Sequence, residues 1–279
     1  MRFGKSPSIT RRKAATVGVI VLALAVTMSL DLTGEKHAPS ERAAPPRSAV
    51  STVPASGRST TTSAPAAARA RRVATSQVDR ITAYDRPSRT AHALATLSRT
   101  TDYGVPRTFL VVDDREDGDA DRAAQPGWLR VLLPVRPNGT TGWIDAAQVH
   151  LASTDFSVTV QLGAHRVTVY EGERTVLQTD AVIGSPETPT PLGTFYVTDP
   201  VDRQSAPDTV YGAFALGLSG FSEVLTHFEG GPAQIALHGT NRPDQLGQAI
   251  SNGCLRVPND VIVRIAHTVP LGTPVHIVA

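Results

Sequence analysis

Cysteine is almost missing from this chain: Cys254 is the one thiol in 279 residues. An intrachain disulfide framework and a multi-cysteine zinc or iron–sulfur site are thereby excluded. The position of Cys254 also excludes a lipid on an N-terminal cysteine. Aromatic residues are scarce at 5%, and there are two tryptophans, Trp128 and Trp143. Lysine stops at Lys36, which fits codon bias in a GC-rich genome better than any need for guanidinium geometry. Positive charge is in short supply beyond the first quarter of the chain. Residues 1–75 carry 12 Lys+Arg against 3 Asp+Glu, whereas the remainder carries 15 against 22. A nucleic-acid partner has no support, because the part that folds is acidic. A hydrophobic content of 41% rules out a wholly disordered or collagen-like chain.

What is present begins with an export signal. Residues 1–13 form a basic segment ending in Arg11-Arg12-Lys13, expected to stay in the cytoplasm. Residues 14–30 follow without a charge, a length at the lower limit for a membrane span. An uncleaved signal anchor is the preferred reading and a cleaved signal peptide the competitor, with Ala23-Leu24-Ala25 and Thr27-Met28-Ser29 as small-x-small sites. Either way the rest of the chain is expected in the cell envelope, membrane-anchored or secreted to the wall. Residues 31–75 are rich in Pro, Ala, Ser and Thr without helical or strand periodicity, and read as a disordered linker.

Two folded pieces are expected beyond it. Residues 76–150 hold short β-like runs and a hairpin signal at Arg136-Pro137-Asn138-Gly139, which suggests a small β-barrel. The segment around Gly127-Trp128-Leu129-Arg130 and Gly142-Trp143-Ile144 resembles a bacterial SH3-like module. Trp128 and Trp143 either stack on glycan or peptide or fill a small core; their apolar neighbours favour the core. An acidic stretch, residues 113–121, is expected to be solvated. Residues 154–279 alternate: Phe156, Val158, Val160 and Leu162 share one face, and 165–170 and 175–183 continue as strands. One helix is expected, with Asn259 as N-cap, Asp260 in the first turn, and Val261, Ile262, Ile265 and Ala266 inward. The fold class is therefore mainly β with few helices.

Chemistry concentrates between residues 236 and 256. An apolar strand ends at His238, followed by Gly239-Thr240, and Ser251-Asn252-Gly253-Cys254-Leu255-Arg256 comes just before the helix. A free thiol has a pKa of about 8.5 and needs a base or a cation nearby to react near neutral pH. His238 can take its proton and Arg256 can favour the anion. Spacing alone leaves the alternative of a small buried cysteine open.

His238-Gly239-Thr240 with Ser251-x-Gly253-Cys254-Leu255-Arg256 resembles the active-site signature of the L,D-transpeptidase catalytic domain, the YkuD family. Gly184, Thr190-Pro191-Leu192-Gly193-Thr194-Phe195, Tyr211-Gly212 and Ser219-Gly220-Phe221-Ser222 are similar to that family as well. Asn252 departs from it, since many members carry histidine there. The resemblance implies a β-sandwich-like domain and a peptidoglycan crosslinking activity through a cysteinyl thioester. Cys254 would be the nucleophile, His238 the base, and the Gly239 carbonyl would orient the imidazole. Backbone N–H groups of Gly253 and Cys254 would hold the oxyanion. Arg256 would bind a stem carboxylate or brace the loop, and Ser251 would bond the turn. Tyr211 and His227 fall in a long 203–233 segment that looks like a lid, where either of them lines the donor site or simply packs. No cofactor or metal is implied; a His227/His238/Cys254 metal site would block the thiolate. The expected partners are donor and acceptor stem peptides, the membrane through the N-terminal segment, and carbapenem-type β-lactams as covalent inhibitors. An L,D-carboxypeptidase on the same scaffold and a non-catalytic wall-binding protein are the alternatives.

Overall fold

Alternation of inward apolar and outward polar residues builds nearly every element. The computed structural model describes residues 70–112 and 126–279, so the candidate export segment at 14–30, most of the linker and the acidic stretch 113–121 lie outside it. In the first module the strands are β1 (Arg71–Ser76), β2 (Arg80–Tyr84), β3 (Ala93–Ser98), β4 (Thr108–Leu110), β5 (Trp128–Leu132), β6 (Thr141–Asp145) and β7 (Val149–Thr154). They form a three-stranded sheet, β4-β1-β7, and a four-stranded sheet, β3-β2-β6-β5. A bridge between Val111 and Val131 connects the two, and Ile81, Phe109, Leu129, Val131 and Ile144 fill the core.

Three expectations change here. The linker was expected to reach residue 75, yet Arg71–Ser76 pairs residue by residue with β7 and buries Val73 and Ala74. Its composition looks like linker, but its backbone has partners on both edges. Where a small barrel is expected, the strands form two short sheets joined by the Val111–Val131 bridge, and no closed ladder runs around the module among the described residues. Trp128 and Trp143 are not core residues. Leu129, Val131 and Ile144 take the inward positions, so both indoles are half-buried on the opposite face, and Trp128 stands edge-on to Tyr84 at 5.9 Å.

The second module contains β8 (Phe156–Gln161), β9 (Arg166–Glu171), β10 (Arg174–Asp180), β11 (Ile183–Gly184), β12 (Gly193–Asp202), β13 (Phe214–Phe221), β14 (Gln234–His238), β15 (Ala249–Ser251), β16 (Leu255–Arg256), α1 (Asn259–Thr268) and β17 (Pro274–Val278). Eight strands run in the order β10-β9-β8-β17-β12-β13-β14-β16, and β11 pairs with β15. The sheet is antiparallel except at β8–β17 and β14–β16. The single strand expected over 175–183 is two: β10 ends at Asp180, and Ile183–Gly184 turns away to pair with β15.

Helix α1 buries Ile262 and Ile265 against β13 and β14, with Val261 and Ala266 half-buried beside them. Pro258, not Asn259, sits at its N-cap position, and no side chain caps it. No helix among the described residues is long and apolar enough to cross a membrane. The two modules share a cluster: Tyr196 of β12 is fully buried against Leu110 of β4 and Leu132 of β5.

Candidate active site

The parallel pairing of β14 with β16 sets the geometry. Leu237 lies opposite Leu255, and His238 opposite Arg256. Side chains alternate along a strand, and register partners share a face. Leu237 and Leu255 point into the core, at 2% and 0% exposure. Their neighbours must then face the other way, so Ala236, His238, Cys254 and Arg256 share one surface of the sheet. Cys254 and His238, sixteen positions apart in the chain, are thereby brought diagonally to one face and line one cleft.

His238 is buried, and its Nδ1–H donates to the Gly239 carbonyl at 2.7 Å. That bond leaves Nε2 with its lone pair free to accept a proton. Burial pushes the imidazole pKa down to about 4, and the positive charge of Arg256 adds to this, while the carbonyls of Gly239 and Tyr211 oppose it. The ring is thus neutral near pH 7. The bend after it depends on a residue read above as a helix cap. The Asn259 side-chain oxygen accepts from the N–H groups of Ala213 and Thr240, each at 3.0 Å. A Cβ on either Gly212 or Gly239 would collide with that oxygen, so both positions need glycine. Asn259 therefore ties the strand end at His238 to the loop carrying Tyr211. Its residue type was visible in the sequence, but both partners are distant along the chain.

Cys254 is half-buried and free. Burial raises its thiol pKa, opposed by the backbone of Ala236 and by Arg256. Ser251 is buried and braces the turn: its hydroxyl donates to the Cys254 carbonyl at 2.6 Å and accepts from the Gly253 N–H at 3.2 Å. Gly253 has φ +109°, a conformation that suits glycine, and its carbonyl accepts from Thr190 Oγ1 at 2.9 Å. Thr188 Oγ1 and the Ser185 N–H both donate to the Ser251 carbonyl. The upstream 184–190 turn is thus the support on which the thiol loop rests. The Arg256 backbone pairs with Val182, while its buried Nε has no hydrogen-bond partner in the protein.

Two clefts meet at the thiol. A narrow one of ≈ 50 Å³ is lined by Cys254, His238, Asn252 and Arg256 together with Leu225 and Phe228. A wider one of ≈ 320 Å³ includes Asp199, Arg203, Glu229 and, from the first module, Tyr103. Tyr211 borders both. Its ring lies 5.1 Å from that of His238, the Arg203 guanidinium stands 5.4 Å over the Tyr211 ring, and its hydroxyl donates to the Glu229 carboxylate. The 203–233 segment is not one lid, because β13 runs through its middle. Two connections remain, 203–213 and 222–233. His227, on the second, is exposed and bonded to Thr226, and unlike its neighbour Phe228 it lines neither of these two clefts. No group of metal-ligating side chains occurs among the described residues.

The L,D-transpeptidase catalytic domain model of the YkuD family matches residues 155–277. The YkuD protein of Bacillus licheniformis is 30% identical over 155 residues, covering 53% of this chain and 85% of that protein. The YkuD protein of Bacillus subtilis is 33% identical over 122 residues, 44% of this chain and 65% of its own length. Among solved structures, an L,D-transpeptidase from Mycobacterium tuberculosis H37Rv is 14% identical, with a TM-score of 0.41 over 62% of this chain and 90% of that one. By its sequence match to the family model and to the Bacillus licheniformis relative, the chain belongs to the YkuD family of L,D-transpeptidase catalytic domains.

Proposed function

We propose that the protein is a peptidoglycan L,D-transpeptidase working through a thioester on Cys254. The observation that carries this reading is the β14–β16 register, which sets Cys254 and His238 on one face and along one cleft. The resting pair is a neutral thiol beside a neutral imidazole. As Cys254 Sγ bonds to the carbonyl carbon of a donor stem, His238 Nε2 takes the thiol proton. The carbonyl oxygen becomes an oxyanion. Ser251 already occupies the Gly253 N–H, so the Cys254 N–H is the donor assigned to it. The C–N bond then breaks, and the imidazolium returns its proton to the departing amine. An acceptor amine attacks the thioester, His238 takes a proton from that amine, and the Cys254 thiolate leaves and takes that proton from the imidazolium. The Gly239 carbonyl holds the imidazole in the required tautomer throughout.

Arg256 lines the narrow cleft, where a guanidinium suits a stem carboxylate. Tyr211 and Asn252 line the donor side. The wider cleft on the same sulfur favours a second stem over water, and hence crosslinking over the L,D-carboxypeptidase reaction. In this reading residues 14–30 carry the chain out of the cytoplasm, the first module, from β1 to β7, is SH3-like, and the protein works on the wall.

The test is covalent capture. A carbapenem should add once to the wild-type protein, seen as an intact-mass increase, and not to Cys254→Ala. An adduct surviving in the variant would refute the assignment. With a tetrapeptide muropeptide, mass spectrometry should find crosslinked dimer. Shortened monomer alone would mean the carboxypeptidase, and neither adduct nor product would mean a wall-binding protein.

A further inference from the structure

The hairpin between β5 and β6 does more than reverse the chain. Arg136 donates to three backbone carbonyls of the 222–233 connection: Ser222, Leu225 at 3.0 Å and Pro232 at 2.9 Å. Its guanidinium also lies 5.0 Å over the Phe221 ring. Asn138 completes the grip by accepting from the Phe221 N–H at 2.9 Å and donating to the Phe221 carbonyl at 2.8 Å. Five main-chain groups at both feet of one connection are thus held by two side chains of another module. That connection carries Leu225 and Phe228 into the narrow cleft, and its Glu229 receives the Tyr211 hydroxyl. Tyr211 in turn packs on His238. The Ser222 N–H donates to the Ala233 carbonyl and closes the neck of the loop.

We propose that Arg136 and Asn138 are positioning residues for the cleft wall over Cys254, so that the first module sets the shape of the site. A planar, five-donor guanidinium can serve three divergent carbonyls at once, which a single ammonium cannot. Apart from a long bond from Asn138 to the Glu223 carboxylate at 3.4 Å, the bonds are to main chain, so the grip fixes the path of the loop largely independently of the side chains it carries. Its effect on turnover rests on the transpeptidase reading; its effect on the loop does not. Loosening the wall has two opposite consequences: the thiol opens to small reagents, and the arrangement able to seat a bulky acyl donor becomes rarer.

The experiment compares full-length wild type, Arg136→Ala and Arg136→Lys. Three quantities are measured: alkylation of Cys254 by iodoacetamide, acylation by a carbapenem, and hydrogen exchange of residues 222–233. Arg136→Ala should speed alkylation about tenfold, slow acylation about tenfold and raise exchange in that segment. Arg136→Lys keeps the charge and should fall between. Unchanged alkylation and exchange in the folded variants would overturn the proposal. Should Arg136→Ala not fold, Arg136→Lys with wild-type exchange and alkylation would overturn it equally. If the wild type takes no carbapenem, the transpeptidase reading fails, while alkylation and exchange still decide the clamp.

Discussion

His238 is where burial and chemistry meet most directly. Its ring is enclosed, so the charged form is disfavoured and the pKa falls from 6.5 to about 4. The sign follows: below about pH 4 the imidazole carries a proton and cannot act as base, and above it the ring is neutral and competent. The acid limb of carbapenem acylation should therefore have its midpoint near pH 4, measured by stopped flow in buffers of constant ionic strength. A midpoint at the free-imidazole value would mean that the ring is hydrated. Removing the base, as in His238→Ala, should slow acylation by about 10²–10⁴-fold. Cys254, His238 and Gly239 could be singled out in the sequence from residue type and short flanking patterns, and the structure sets Cys254 and His238 along one cleft, with the Gly239 carbonyl bonded to the imidazole. Ser251 was legible too, since it bonds within its own turn. His227 and Tyr211 looked alike on paper, and only packing separates the exposed ring from the one stacked at the site.

At the level of elements, α1 contributes a side chain to a loop rather than to its own N-terminus. Asn259 follows the local pattern of a cap, but Pro258 precedes it, and the N–H groups it serves lie 46 and 19 residues away. Sequence rules for helix ends see only the near neighbours, so this role was hidden. Asn259→Ala leaves two N–H groups without their acceptor and should cost about 1–3 kcal/mol in denaturant unfolding. Asn259→Asp keeps an acceptor in place but brings an anion one peptide unit from His238. It should move the acid limb of acylation upward, because a nearby negative charge favours the imidazolium. A limb that stays put in the Asp variant would show that the link is purely mechanical. The tryptophans teach a related lesson. Their apolar neighbours suggested a core, yet Leu129, Val131 and Ile144 alternate with them and occupy it. Periodicity outranked composition.

Across the whole molecule, the boundary read between residues 150 and 154 falls inside β7, whose partner β1 begins at Arg71. Nothing in the local sequence marks Tyr196 as a junction, because its neighbours in space, Leu110 and Leu132, come from the other module. It is fully buried, and its hydroxyl has no hydrogen-bond partner in the protein. A buried orphan hydroxyl costs free energy, so Tyr196→Phe should stabilise the protein by about 1 kcal/mol. Wild type should unfold in a single calorimetric transition that includes both modules. Two resolved transitions, or a destabilised Tyr196→Phe, would separate the modules energetically.

The β14–β16 register also bears on how such a protein can change. Strand pairing, rather than the connecting chain, sets how His238 and Cys254 stand to one another. The connection is anchored again only where Gly247 and Gln248 bond to Ala181 and Ile183. Between these points, Arg242 and Asp244 form an ion pair with side chains 59% and 61% exposed. Insertions and deletions at residues 242–245 are thus decoupled from the reacting atoms. That stretch is where lineages can drift in length, and where a peptide tag can be spliced in, without retuning the chemistry.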